Sequence, residues 1–352
     1  MATEKTKQAG IVALITGGSG FLGTAIVREI LEDSSPVQVQ ELRVFDLNPM
    51  SKQVDNRLRF LQGDVRNKEA VEEACQDVDL VIHSAAIVDW GTKSETEILA
   101  VNYEGTRNVI EACTSNGVKA LVYTSSLDVL YDGNPLLEVD EDTPYPERHA
   151  TSYCASKYLG ERSALEANGA ALKTCSLRPA DIYGEGDPYH IGSLINMARG
   201  GFYVRLGNGQ SRCQHVYVGN MAYAHVLASA ALLSGSAKVE GQAYFLTDGP
   251  PSNFFTFFDA FVEGAGYRIW PRKLWLPRWF AYALGSISES IAFLVRPIKK
   301  YSPKMSRFAV TYTCTDYTFR AEKAKEDFGF TPRYSKQEAF DRTVAFFRKP
   351  EN

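Results

Sequence analysis

Tyr153 and Lys157 stand four residues apart in SYCASKYLGE, a window with a helical pattern, so both side chains fall on one helix face. A phenol titrates near 10 and is a poor base at neutral pH. An ammonium one turn away favours the phenolate and is expected to lower that pKa. The pair can then take the proton of an alcohol as a hydride leaves its carbon, or return it in the reverse direction. Ser126, in VYTSSLDV, lies 27 residues upstream and offers a hydroxyl to orient the reacting oxygen toward the phenol. A lone YxxxK is common by chance; the three groups become specific only beside a site for a hydride carrier.

That site is legible near the start of the chain. An apolar run, Ile11–Thr16, leads into TGGSGFLG, with Gly17, Gly20 and Gly23 spaced as GxxGxxG before a helical stretch. Glycine lets the chain turn tightly, lets backbone approach a pyrophosphate and lets helix pack close on strand. The helix start, with Phe21 and Leu22, offers free amides and partial positive charge to phosphate. Asp46 ends the second apolar run, where a carboxylate accepts from ribose hydroxyls and repels a 2′-phosphate. Leu47, Asn48 and Pro49 bring no cation, so the reading is NAD, not NADP. Asp64 and Val65, in QGDV, suit the adenine edge, although an Asp there can also cap a helix. Ala85, Pro179 and Lys157 complete the cofactor set. His83 is read as capping the fourth strand beside the cofactor or as a satisfied core histidine, Asn102 as bracing the active-site backbone or packing its helix, and the loop with Tyr183 and Gly184 as passing the nicotinamide carboxamide. Cys154 faces away from Tyr153 on the helix and receives no role.

Positioning these groups takes a parallel sheet. Short runs at 11–16, 42–46, 58–61, 80–83, 121–125, 174–177 and 243–246 are rich in Val, Leu and Ile, as strands buried on both faces are. Amphipathic stretches near 22–33, 67–76, 96–116 and 152–168 alternate with them. The pattern predicts an α/β, Rossmann-type doubly wound sheet, with Ser126 just past the carboxyl end of the fifth strand. The NAD-binding part is expected over 1–178 plus the strand near 242–247. A smaller substrate-binding portion follows from 179–241 and 248–320, then C-terminal helices over 321–352.

Composition agrees. The 352 residues suffice for a large core, and 12% aromatics suit an apolar pocket for a small apolar substrate. A net charge of −4 gives no basic field for nucleic acid. Six scattered cysteines without a CxxC pair read as reduced thiols, and the five histidines lack ligand spacing, so no metal is expected. MATEKTKQAG has no apolar h-region, which points to an intracellular chain, cytoplasmic or on the cytoplasmic face of a membrane such as the endoplasmic reticulum. A homodimer is compatible with all of this.

From Arg268 to Arg307 there are nine Lys or Arg, one acid (Glu289), and Trp270, Trp275 and Trp279. Within it, 279–295 reads as an amphipathic helix: Ser286, Glu289 and Ser290 on one face; Phe280, Leu284, Ile287, Ile291 and Leu294 on the other. With the flanks Arg296, Lys299, Lys300 and Lys304, the segment 270–300 is expected to lie in a membrane interface rather than cross it.

TGGSGFLG, LRVFD, QGDV, VNYEGTRNVIEAC, VYTSS, YCASK, LEANG, LRPADIYGEGD and YVGNMAYAHVLA together resemble the extended short-chain dehydrogenase/reductase superfamily, and within it the 3β-hydroxysteroid dehydrogenase family, over nearly the whole chain. The resemblance implies NAD-linked oxidation of a 3β-hydroxyl on a steroid or sterol, or the reverse reduction, with Tyr153, Lys157 and Ser126 as catalytic residues. It also shows a departure. Bifunctional vertebrate members carry two adjacent carboxylates where this chain has Asp248 followed by Gly249, which puts a coupled double-bond isomerisation in question. Decarboxylating sterol-4α-carboxylate dehydrogenases and 2-alkyl-3-oxoalkanoate reductases share the motifs; the latter would want a cation, for which Arg205 or Arg212 are candidates. A nucleotide-sugar epimerase or dehydratase would need a polar lining over 180–300, which here is aromatic and apolar. A non-catalytic NAD sensor would lack one of the three catalytic residues.

Overall fold

In the computed structural model of the chain, the described residues are 10–50, 55–89, 93–295 and 306–350. The basic flanks Arg296, Lys299, Lys300 and Lys304 lie outside them.

β1 (Ile11–Thr16) runs into α1 (Phe21–Leu31), then β2 (Val39–Asp46), β3 (Leu58–Gln62), α2 (Lys68–Ala74) and β4 (Leu80–His83). A helical stretch follows as α3 (Glu95–Leu99), a π-helical turn over Ala100–Glu104, and α4 (Gly105–Ser115). The chain continues through β5 (Ala120–Thr124), β6 (Leu136–Val139), α5 (Ser152–Glu166), β7 (Lys173–Pro179), β8 (Asp181–Tyr183), α6 (Ile191–Arg199), β9 (Arg205–Leu206), β10 (His215–Tyr217), α7 (Val218–Leu233) and β11 (Gln242–Leu246). The remainder is α8 (Phe254–Gly264), β12 (Trp275–Leu276), α9 (Arg278–Val295), α10 (Arg307–Thr313), β13 (Tyr317–Phe319), α11 (Lys323–Phe328) and α12 (Lys336–Phe347).

Seven strands form one sheet in the order β11-β7-β5-β4-β1-β2-β3, all parallel. The order reverses between β1 and β4, so connections leave in opposite directions there and open a crevice at the strands' carboxyl ends. Both faces are covered: α1 and α7 pack on one side, α2, α4 and α5 on the other. This is why the strands read as apolar runs without alternation: Ala13, Leu14, Ile15, Val81 and Ile82 are all fully buried. The stretch expected as one helix over 96–116 is interrupted by its π-turn, a feature that tends to mark functional sites; Asn102 sits inside it.

Beyond β7 the strands other than β11 are only two or three residues long and the core is aromatic. Tyr183 meets Phe257 and Phe261 with ring centroids 5.1 and 5.3 Å apart, and Phe254, Phe255 and Phe258 of α8 interlock beside them. Two-stranded ladders, β8 with β10, β9 with β12 and β6 with β13, tie this portion together.

α9 is inside out relative to a normal surface helix. Its acid, Glu289, turns toward α10, accepting from the Arg307 amide at 2.7 Å and pairing with its guanidinium at 2.6 Å. Trp279, Ile287 and Leu294 are 73%, 56% and 72% exposed. Among the described residues no helix is long and apolar enough to cross a membrane.

Candidate active site

One cleft of about 480 Å³ opens over the carboxyl ends of β1, β4 and β5, and Ser126, Tyr153 and Lys157 line it together with Gly17, Gly20, Phe21, Leu22, Gly23, Asp46, Asp64, Val65, Ala85 and Pro179. Its outer half is made largely of backbone. Gly17 has φ +72°, and a Cβ there would stand 2.7 Å from the Ala85 backbone. At Gly23 a Cβ would stand 2.1 Å from the Gly17 carbonyl oxygen, so only glycine allows α1 to sit this close to the loop. No side chain caps α1, and the Ser19 hydroxyl is buried without a hydrogen-bond partner. Uncapped amides beside an orphaned hydroxyl at a helix start fit a pyrophosphate.

Asp46 ends β2 on the rim, accepting from the Ser19 amide at 3.1 Å and the Asn48 amide at 2.9 Å. Arg66 is a cation at this rim that the sequence reading passed over. It is committed to Asp64, whose carboxylate takes its Nε at 3.0 Å and is held below the usual range by that bond. The cap of α2 is Asn67, accepting from the Ala70 amide, and not Asp64.

The inner half holds Ser126, Tyr153 and Lys157, only 7%, 8% and 3% exposed. Thr151 caps α5 and so fixes where Tyr153 and Lys157 begin their turn. Asn102 braces the opposing backbone: it accepts from the Ile87 amide at 2.7 Å, donates to the Ile87 carbonyl at 2.9 Å and reaches Ser156 at 3.0 Å. Lys157 donates to the Thr124 carbonyl at 2.6 Å and rides 4.4 Å over the Tyr123 ring. Burial pulls its pKa down to about 7, against the pull of Glu161 and Asp128.

Here the structure corrects the sequence reading. The Tyr153 phenol is pushed up, not down: burial acts first, then the charge of Asp128, and only a hydrogen bond with Ser126 opposes them. The Lys157 amine is engaged with Thr124, and the protein's own groups leave the phenol protonated. Ser126 is likewise tied, its hydroxyl donating to Asp128 at 2.6 Å. Burial first, and Asp181 after it, hold Asp128 at about 6.

Other expectations shift as well. His83 does not line the cleft. It is a buried core histidine bonded to the Thr16 and Thr106 hydroxyls at 2.6 and 2.9 Å, and burial holds it neutral, with its pKa down at about 3. Tyr183 turns into the aromatic core, and Pro179, Ala180, Asp181 and Ile182 border the cleft in its place. Arg178 points to the far side of β7, buried against Glu161 at 2.8 Å. Asp248 accepts from the Tyr217 amide and is not a lining residue. Arg205 pairs with Asp259, and neither it nor Arg212 lines the cleft.

Sequence reasoning missed Asp128, Asp181, His190 and Tyr312 in the lining. Asp128 was visible two places after Ser126, where a carboxylate meets its hydroxyl locally. Asp181 becomes meaningful only through the β8–β10 ladder, where it faces His215. That ladder also brings Cys213 alongside, a grouping of potential metal ligands invisible in linear spacing. Burial and Asp181 push the Cys213 thiol up, opposite to what a ligating thiolate needs.

Residues 14–277 match the model of the 3-beta hydroxysteroid dehydrogenase/isomerase family. The chain is 37% identical over 355 residues to 3 beta-hydroxysteroid dehydrogenase type 7 of Homo sapiens, covering 95% of each. It is 34% identical to 3beta-hydroxysteroid-dehydrogenase/decarboxylase isoform 1 of Arabidopsis thaliana, covering 95% of this chain and 79% of that one. In fold it is similar to a dTDP-glucose 4,6-dehydratase of Streptomyces venezuelae, solved with NAD (TM-score 0.75, 19% identity, 96% and 97% covered). A UDP-glucose 4-epimerase of Thermus thermophilus, also solved with NAD, superposes with a TM-score of 0.70 at 24% identity, covering 96% and 99%.

Proposed function

The chain belongs to the 3-beta hydroxysteroid dehydrogenase/isomerase family and is an NAD-dependent oxidoreductase; from that premise we propose that it oxidises a 3β-hydroxyl on a steroid or sterol, or reduces the corresponding ketone. The observation that carries this is the meeting of Ser126, Tyr153 and Lys157 at the inner end of the same cleft whose outer end is the glycine loop.

The amides at the start of α1 would hold the pyrophosphate, Asp46 the adenosine ribose, and Asp64 with Val65 the adenine side, while Ala85, Pro179 and Lys157 flank the reactive end. When bound, NAD supplies the carbon that accepts or returns the hydride. Ser126 holds the reacting oxygen. Tyr153 takes its proton in oxidation and returns it in reduction. Lys157 assists with its charge, which must overcome the upward push on the phenol from burial and Asp128. The closed, largely apolar surroundings keep water from the reacting carbon.

The exposed apolar stripe of α9 supports a further reading: the helix lies in a bilayer interface and lets an insoluble sterol reach the cleft from lipid. Flotation with anionic liposomes tests it; protein remaining at the bottom of the gradient contradicts it. The catalytic reading is tested by following NAD reduction with a 3β-hydroxysteroid, a 3β-hydroxy-4-carboxysterol and a 3-hydroxy fatty acid. Turnover of the first supports it, and activity with the fatty acid alone overturns it.

A further inference from the structure

We propose that Asp128 and Asp181 make the inner wall of the cleft a filter against any substrate with a carboxylate on the carbon next to the reacting one, so that the sterol accepted is uncharged at that position. The inference rests on the reading of Ser126 and Tyr153 as the groups that hold the reacting oxygen.

Position comes first. Asp128 is one hydrogen bond from Ser126, at 2.6 Å, and lines the cleft. A substituent on the carbon beside the carbinol comes up to this wall when it lies on the Ser126 side of the reacting oxygen. Asp181 stands in the same lining, past Pro179 and Ala180; its Oδ1 accepts from the Tyr312 hydroxyl at 2.5 Å. Its Oδ2 is buried without a hydrogen bond, and the His215 Nδ1 stands 3.9 Å from it. Both residues are more than nine-tenths buried, at 7% and 6% exposed. Burial raises the Asp181 pKa, and His190 and the Tyr312 hydroxyl pull it back; when both are ionised the two carboxylates only accept, so the wall asks its ligand for donors, not for further acceptors.

Charge balance points the same way. Among the described lining residues, Lys93 and Arg66 are paired with Glu97 and Asp64. Lys157 is committed to the Thr124 carbonyl. His190 lies 3.7 Å from Asp181 and 3.7 Å from Asp187, so any charge it takes already faces two carboxylates. Arg205, the cation a keto-acid substrate would want, is paired with Asp259 away from the cleft. A carboxylate brought here would lose its water, find no uncommitted cation and face two like groups. Like-charge placement of this kind discriminates by roughly 100-fold or more. It sets this chain's site against 3-hydroxy-4-carboxysterols and 2-alkyl-3-oxo acids alike, since both carry the carboxylate on the adjacent carbon.

The filter depends on pH. Burial, then Asp181, place Asp128 at about 6, with the Ser126 hydrogen bond, Lys157 and His190 pulling it down. The other titratable groups around it are Tyr131, then Tyr153 and Cys154 of α5, Tyr312 of α10 and Tyr317 of β13. Below that value Asp128 is neutral, while a substrate carboxylate with a pKa of about 4 stays charged.

The experiment uses the full chain and two substrates, a 3β-hydroxysteroid and the same nucleus with a 4-carboxylate, comparing kcat/KM at pH 8 and pH 5.5 in wild type and Asp181→Asn. The preference for the neutral sterol should be about 100-fold at pH 8 in wild type. It should shrink by about threefold or more at pH 5.5, and by about tenfold in Asp181→Asn through a gain on the carboxylate. The pH arm needs no variant and stands even where Asp181→Asn fails to fold. Equal use of both sterols by wild type, or a preference unmoved by both pH and substitution, overturns the filter. Turnover of neither sterol overturns the proposed function itself, a result distinct from loss of selectivity.

Discussion

The two halves of the cleft are built by different means. The outer half is backbone: a left-handed glycine, a helix start without a cap and a strand end brought within van der Waals reach of one another. Beneath it, His83 is paired between two threonines. The inner half is made of side chains from distant segments. Ser126, Asp128, Tyr153, Asp181, His190 and Tyr312 come from separate stretches of the chain, and Asp181 Oδ2 is buried without a hydrogen bond, His215 Nδ1 standing 3.9 Å away. Buried polar atoms without partners carry a cost, so their place is where a ligand is to be met. The difference teaches that the half binding a common cofactor is shaped by backbone, with its uncapped amides and the Ser19 hydroxyl open to the phosphate, while the half choosing a substrate is made of side chains that only the tertiary fold brings together.

The largest expected effect erases the comparison. Arg178 and Glu161 lie under β7, between the halves, at 2% and 0% exposure of their side chains. Arg178→Met leaves a buried carboxylate uncompensated and should cost about 3–5 kcal/mol in urea unfolding, taking both halves together. A loss under about 1 kcal/mol would mean the pair is not structural.

Gly23→Ala should separate the halves. With a Cβ at 2.1 Å from a carbonyl oxygen, NADH affinity in a fluorescence titration should fall by more than about 100-fold. Phe308→Leu, which changes the α10 side of the cleft lining, should instead change the KM for sterol and leave NADH affinity within about twofold. If both substitutions moved both constants alike, the division would be wrong.

A smaller effect sharpens the outer half. Asp46→Ala should raise the KM for NAD about tenfold and narrow the preference over NADP, since the repelling carboxylate is gone. Unchanged NAD kinetics would remove Asp46 from the site.

The smallest concerns Asp248, which the structure sets behind the cleft wall. Burial raises its pKa from 3.8 to about 7. The folded state then holds a proton that the unfolded chain has released, so stability is full below pH 3.8 and declines as pH rises toward 7. The slope it adds is at most about 1.4 kcal/mol per pH unit. Asp248→Asn should flatten the unfolding profile over that range without changing NADH affinity; an unaltered slope contradicts the assignment.

The same division decides what was legible in the sequence. TGGSGFLG, Asp46 and the YxxxK pair are local, each fixed by a strand end or one helix turn, and strand positions followed from apolar runs buried on two faces. The inner wall was not legible, because Asp181 and His190 meet Tyr312 only through the β8–β10 ladder and α10, over a hundred residues further along the chain. The electrostatics were misread for a related reason. Spacing placed Lys157 on the face of Tyr153, but nothing in spacing reports that the amine turns to the Thr124 carbonyl or that Asp128 charges the phenol's surroundings. The amphipathic helix was legible as a pattern, and its inverted seating against Arg307 was not.

The account stands or falls on the phenol. Tyr153→Phe keeps the ring and removes only the group that exchanges the proton. Single-turnover oxidation of a 3β-hydroxysteroid should slow by about 10³-fold while NADH affinity stays as in wild type. Turnover near the wild-type rate in that variant, with cofactor bound, would contradict it.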